Sequence, residues 1–334
     1  MTTEPISTRE QLCEHLRTAV VLELSTIPVY LTALWSIPDE SNREVQQLIR
    51  SVVMEEMLHM CLAANVLHAV RGHDHGGPRI TGEHAPTYPG VLHHSAGLEL
   101  TLQPFGREAL ELFCTIEHPA PPSAPPEPGA YHTIGQFYAA ILDGLDRLGD
   151  ELFRDGHHPE CQVPPDRAYY GSGGQAVLVH DLATAVAALR EVVEQGEGHG
   201  SFPWEHFGEP GDRTQLAHFY RFDELRKGRQ YRLGDEAGRP SGAIIVADLD
   251  VVRPIAVDIG ARRDDELPAG VARLLDECDA TYRRLLAELE SALNGEPDRL
   301  LTVVPVMYQL GYQSRSLMNI PLGDGRVAAP RFRA

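Results

Sequence analysis

Apolar residues recur at helical spacing along most of this chain, and on three segments an ionisable residue breaks into the stripe. From Ser7 to Ser36, Leu12, Leu16, Val20, Ile27 and Tyr30 follow at three- and four-residue steps, the signature of a helix with one buried face. Glu23 stands on that face. Thr8 or Ser7 suits the N-cap, and Pro28 removes one backbone donor, which predicts a kink after Glu23. A second helix is predicted from Asp39 or Ser41 to Arg71, ending at Gly72, with Val45, Ile49, Val52, Ala63, Leu67 and Val70 on its stripe. There Glu56 and His59 stand where two more apolar residues belong. On a helix read from about Gly174 to Gln195, the stripe is Val179, Leu182, Val186, Leu189 and Val193; Glu197 continues it and Glu194 lies one position round.

Between these segments the pattern changes. Residues 72–97 are dense in Gly, Pro and His and read as a long loop, and the following LELTLQPF alternates like a short strand. REALELFCTIEHP reads as a helix that Pro119 ends, and residues 119–129 are a stiff connector of Pro and small residues. Further helices are predicted over Thr133–Gly149, Asp212–Lys227, and about 268–294 and 297–318, with extended segments or a small hairpin in 228–267. The reading is all-α: a bundle in 1–227, followed in 228–334 by an extended segment and two helices packed on it as one structural unit.

Composition narrows the partners. Forty-eight acidic residues against 29 basic ones give a formal charge of −19, which opposes a sequence-independent grip on nucleic acid. With 43% apolar and 23% charged residues the chain is of globular type. Five separated cysteines form no CxxC or CxxH pair and read as reduced thiols. The first residues lack the basic start and apolar core of a signal peptide. No run approaches about 18 uninterrupted apolar residues, so no membrane span is expected and the expected location is cytoplasmic.

The acids on the stripes carry the chemistry. An unpaired carboxylate in a dry core costs roughly several kcal/mol, so it is found neutralised, paired or bound to a cation. Glu56 and His59 form Glu-x-x-His, whose spacing sets a carboxylate and an imidazole side by side on one helical face. A Glu on one helix facing Glu-x-x-His on another is half of a carboxylate-bridged di-iron arrangement, and oxygen-rich ligands with one or two histidines suit iron or manganese. The competing account is a buried ion-pair network without metal. No second Glu-x-x-His follows; His218 shares a helical face with Phe222 and Leu225, and Gln136 and Asp143 lie on the helix before. The histidines at 68, 73, 75, 84, 93 and 94 read as solvated, Gly171-Ser172-Gly173-Gly174 as a plain turn, and no G-x-S-x-G elbow supports a hydrolase.

The runs LELSTIPVYLTALWSI, EEMLHMCLAANVL and EQGEG followed by HFYRFDEL, with the closing LMNIPLGDGRVAAPRF, resemble the ferritin-like family named for iminophenyl-pyruvate dimer synthase. That family includes domains of the enzymes that begin violacein and rebeccamycin assembly, and the likeness covers nearly the whole chain. The resemblance implies a ferritin-like helical bundle with metal ligands at Glu23, Glu56 and His59, completed by His218 and Glu197, with Glu194 beside it. It also implies that Gln136 replaces a ligand, which would leave a two-metal site incomplete. The implied activity is oxidation of a small amino-acid-derived molecule by dioxygen at one or two iron ions, in a possible homo-oligomer. Tyr30, Trp35 and Tyr220 are candidates to line the pocket. Two rivals stand beside this reading: a non-catalytic iron-binding protein, and a metal-free bundle serving a biosynthetic enzyme as a partner.

Overall fold

The computed structural model describes residues 5–92, 97–119, 131–155, 157–167, 174–197 and 216–334. Helix α1 (Arg9–Ser36) begins at Thr8, whose side chain accepts the Gln11 N–H while the Gln11 side chain caps the Thr8 backbone in return, so two orphan donors are satisfied together. The helix continues through Pro28, and the Thr32 hydroxyl donates to the Pro28 carbonyl at 2.7 Å. α1 is buried on nearly every side, the condition of a central helix in a bundle. It is long and apolar enough to cross a membrane, yet 89% of its most apolar window is buried inside the protein.

After a connection of six residues the chain returns as α2 (Arg43–Val70), packed along α1, as a short connection between helices requires. α2 ends at Gly72, whose backbone has φ +61°; a Cβ there would meet the Arg9 guanidinium at 2.5 Å, so glycine suits both the left-handed turn and the contact. A two-strand antiparallel ladder follows, β1 (Gly90–Val91) against β2 (Glu99–Leu100). The bundle is filled by α3 (Arg107–Ile116), α4 (Ile134–Leu148), α5 (Leu182–Glu197) and α6 (His218–Lys227). α5 packs on α2 and α4, while α6 packs on α3 and α2.

One boundary differs from the sequence reading. α5 begins at Leu182 rather than near Gly174, and 174–181 is irregular. The buried stripe of α5 is Ala185, Ala188, Leu189, Val192, Gln195 and Gly196, sharing Leu189 with the expected stripe, whereas Val186 and Val193 are half-buried. His68 also departs from the solvated group: it is buried on α2 and donates to the Leu293 carbonyl. His93, His94, the segment 120–130 and residues 171–173 lie outside the described residues.

Beyond α6, Arg229 and Ile244 form an antiparallel bridge. Helices α7 (Val271–Ala292) and α8 (Leu300–Leu317) then pack on each other, and α8 reaches α1. At that crossing Gly311 lies against Trp35, whose ring would stand 3.2 Å from a Cβ on Gly311. The closing segment is clamped by Arg331, paired with Asp279 at 2.7 Å, and Phe332 stacks on Trp35 and meets the edge of Tyr282.

Candidate metal centre

Four helices and one helix end bring a polar cluster into the middle of the bundle. Glu23 comes from α1, Glu55, Glu56 and His59 from α2, Glu117 from the C-cap of α3, Gln195 from α5, and His218 and Arg221 from α6. All are buried. Four carboxylates against one guanidinium leave a formal excess of three negative charges in the core, which requires protons or cations for compensation.

Each inner carboxylate is oriented in the same way. The Tyr138 hydroxyl donates to Glu23 Oε1, the Thr26 hydroxyl to Glu56 Oε2 at 2.7 Å, and the Tyr30 hydroxyl to Glu117 Oε1. One oxygen of each acid is thus held from outside, and its other oxygen faces the imidazoles. Glu23 Oε2 is 3.5 Å from His59 Nδ1, and Glu117 Oε2 is 3.7 Å from His218 Nδ1. Glu56 Oε1 lies between them, 3.8 Å from His59 Nδ1 and 2.9 Å from His218 Nδ1. The two rings stack with centroids 5.3 Å apart.

The outer nitrogens of both rings are engaged. His218 Nε2 lies 2.8 Å from Glu55 Oε2, an oxygen that also takes the Arg221 guanidinium at 2.9 Å. Arg221 overrides the effect of burial and, with His218, holds the Glu55 carboxyl below its ordinary range, so Glu55 is an acceptor and His218 Nε2 the donor. His59 Nε2 lies 2.8 Å from Gln195 Oε1, and the Gln195 amide nitrogen reaches Glu191 Oε1 at 3.4 Å. That contact turns the amide oxygen toward His59 and makes His59 Nε2 the donor as well.

Among the described residues, protons supply the compensation that Arg221 does not. Burial, then the charges of Glu117 and Glu23, push the Glu56 carboxyl up to about 8. Burial disfavours the charged form of both histidines, but their carboxylate neighbours outweigh it: Glu23 and Glu56 raise His59, and Glu117, Glu55 and Glu56 raise His218 well above its ordinary value. Burial and the adjacent acids likewise raise the Tyr30 and Tyr138 phenols, which keeps them as donors.

The residues fit a metal. Glu56, His59 and His218 offer ligand atoms that all lie within 4.8 Å of one another. His218 Nδ1, 2.9 Å from Glu56 but without an aligned hydrogen bond, and Glu55 Oε1 are buried atoms left unsatisfied, and such atoms are rare in the absence of a ligand or water. Carboxylate oxygens with two imidazole nitrogens form a donor set for iron or manganese.

The sequence reading placed Glu23, Glu56, His59 and His218 as ligands, and the structure brings these four together. Glu194 is half-buried on α5, one position from the buried Gln195. The Glu197 side chain lies outside the described residues. Gln136 is at the start of α4, where its Oε1 accepts the His132 N–H at 2.9 Å; the further acid at the cluster is Glu117. Of the aromatic candidates, Tyr30 is at the cluster, whereas Trp35 packs at the α8 crossing and Tyr220 packs with Tyr231.

Known proteins share this architecture and sequence. A crystal structure of a ferritin-like protein from Caulobacter vibrioides superposes with a TM-score of 0.67 and 24% identity, covering 99% of this chain and all of that one; at that identity it speaks for the fold. The chain is 28% identical to 2-imino-3-(indol-3-yl)propanoate dimerase of Chromobacterium violaceum over 66% of its length. It is 26% identical to dichlorochromopyrrolate synthase of Lentzea aerocolonigenes over 98%. The matches span 23% and 36% of those relatives. A family model described as ferritin-like matches residues 16–227, the span that carries every residue of the buried cluster, and the chain belongs to the ferritin-like family.

Proposed function

We propose that this protein is a metal-dependent oxidase that uses dioxygen on a small amino-acid-derived molecule in specialised metabolism. The observation that carries the reading is the inward-facing set of atoms. Three carboxylate oxygens and two imidazole Nδ1 atoms face one another in a dry core, while hydroxyls, an amide and a carboxylate occupy their outward atoms. In this reading Glu23 and His59 form one half of the site, Glu117 and His218 the other, and Glu56 serves both. Iron bound there supplies one-electron chemistry toward dioxygen, with manganese the alternative. Tyr30, Thr26 and Tyr138 keep the acids aimed inward, and His59, His218 and Glu56 release protons as a cation takes their place.

The substrate class rests on the relatives, one named for dimerising an imine of an indole-bearing acid and the other for making dichlorochromopyrrolate. Their whole reactions belong to longer proteins, so for this chain the proposal stops at oxidation of an amino acid or its imine. Glu194 and Glu197 are the remaining members of the ligand set read from the sequence.

Elemental mass spectrometry of tag-free protein expressed with iron tests the reading. Stoichiometric iron is expected in the wild type and is lost in Glu56→Ala and His59→Ala with the helical circular dichroism retained. The same measurement on Glu194→Ala and Glu197→Ala decides whether those acids belong. Iron together with oxygen uptake driven by amino-acid-derived imines identifies an oxidase, and iron without substrate-coupled uptake identifies an iron-binding protein. A folded wild type without metal identifies the ion-pair network.

A further inference from the structure

We propose that the two histidines of the centre are unequal by construction: Glu55 makes His218 the stronger metal donor, Gln195 leaves His59 the weaker one, and the His218 half takes its ion first. This deepens the proposed metal centre and rests on it. The halves have the same kinds of inner atom, one imidazole Nδ1 and one acid each with Glu56 in common, although Glu56 Oε1 lies nearer His218 Nδ1 (2.9 Å) than His59 Nδ1 (3.8 Å). The difference in donor chemistry lies behind the rings. A group that accepts the outer N–H of a metal-binding imidazole raises the basicity of the inner nitrogen, and an ionised acceptor makes a hydrogen bond roughly twice as strong as a neutral one.

Behind His218 that acceptor is a carboxylate. Glu55 Oε2 lies 2.8 Å from His218 Nε2, and Glu55 is anchored by Arg221, which also donates to the Ser51 hydroxyl at 3.0 Å and to the Leu216 carbonyl. Glu55, His218 and Arg221 are each 0% exposed, so solvent does not screen the charge. Behind His59 the acceptor is the neutral Gln195 amide at 2.8 Å. Glu55 and Gln195 are positioning residues: both fix which ring nitrogen is free, and only Glu55 adds charge.

The test is a titration of the metal-stripped full chain with cobalt(II) alone, against a chelating competitor and followed by absorption. The wild type is expected to bind in a tight and a weak step. Glu55→Gln should weaken the tight step about 10–100-fold while the weak step moves less than about threefold. Gln195→Glu should strengthen the weak step and narrow the gap, a gain of affinity that a merely structural role does not produce. It leaves the Arg221 pair intact, so it decides the matter if circular dichroism shows that Glu55→Gln does not fold. A single bound ion sensitive to Glu55→Gln and insensitive to Gln195→Glu is the same asymmetry at its limit. Equal wild-type steps, or a Glu55→Gln variant that loses the weak step, overturn the asymmetry alone. No cobalt binding by the wild type overturns the metal centre itself.

Discussion

His68 ties α2 to the end of α7, and acid should loosen that tie by an amount that can be calculated. The ring is 1% exposed; Nε2 donates to the Leu293 carbonyl at 2.6 Å, and Nδ1 accepts the Arg71 Nε–H at 3.0 Å. A second proton on the ring would set an N–H against a guanidinium. Burial above all, with Arg71 and His158 adding to it against the Leu293 bond and Glu160, lowers the His68 pKa from 6.5 to about 4. Because the folded value is the lower one, the stabilisation is present above pH 6.5 and is lost as pH falls toward 4. Between pH 7 and pH 5 the linkage relation gives a loss of about 2 kcal/mol from this one residue. The assay is urea denaturation at the two pH values for the wild type and for His68→Gln, which keeps a donor for Leu293 and cannot titrate. Other groups contribute equally to both proteins, so the wild type should lose about 2 kcal/mol more than the variant. Equal pH dependence in the two proteins would refute the burial argument, and separate transitions for the bundle and the C-terminal helices would overturn the expectation that they form one structural unit.

Two more outcomes follow from the buried centre. Arg221→Met removes the guanidinium that offsets the buried Glu55 charge, leaving only the His218 N–H on that carboxylate, and should cost about 3–5 kcal/mol; adding Glu55→Met should recover much of that in a denaturant double-mutant cycle, and full additivity would show that the pair is not coupled. Tyr138→Phe removes the hydroxyl that holds Glu23 Oε1. It should lower metal affinity about 10-fold with the helical content unchanged, measured by competition with a chelator, and an unchanged affinity would remove Glu23 from the ligand set.

The fold was largely readable because period and punctuation agree. Thr8 starts α1 and Gly72 ends α2, and the long stripes between them leave little choice but helices. The reading slipped on α5, where large side chains drew the stripe through Val186 and Val193 while Ala185 and Ala188 carry the close packing. Periodicity weighted by size misses a face built from alanine, and with that slip went Gln195, the α5 residue that meets His59.

The site shows the same division between what spacing encodes and what only assembly reveals. Glu117 obeys the rule that found Glu23: it follows Leu110, Phe113 and Cys114 at steps of seven, four and three on the buried face of α3. It stands two residues before Pro119, at the helix end, and is not among the acids singled out from the sequence; Gln136, where the resemblance implies a replaced ligand, spends its side chain on its own N-terminus. Glu55 is three residues after the buried Val52 and so also lies on the core face, but an adjacent Glu-Glu pair does not say which acid turns inward and which turns to a neighbour. That choice is made by Arg221, 166 positions later in the numbering and buried against Glu55 at 2.9 Å. A local motif can therefore nominate ligands, whereas the residues that set their protonation and strength come from helices distant in sequence and emerge only when the bundle is closed.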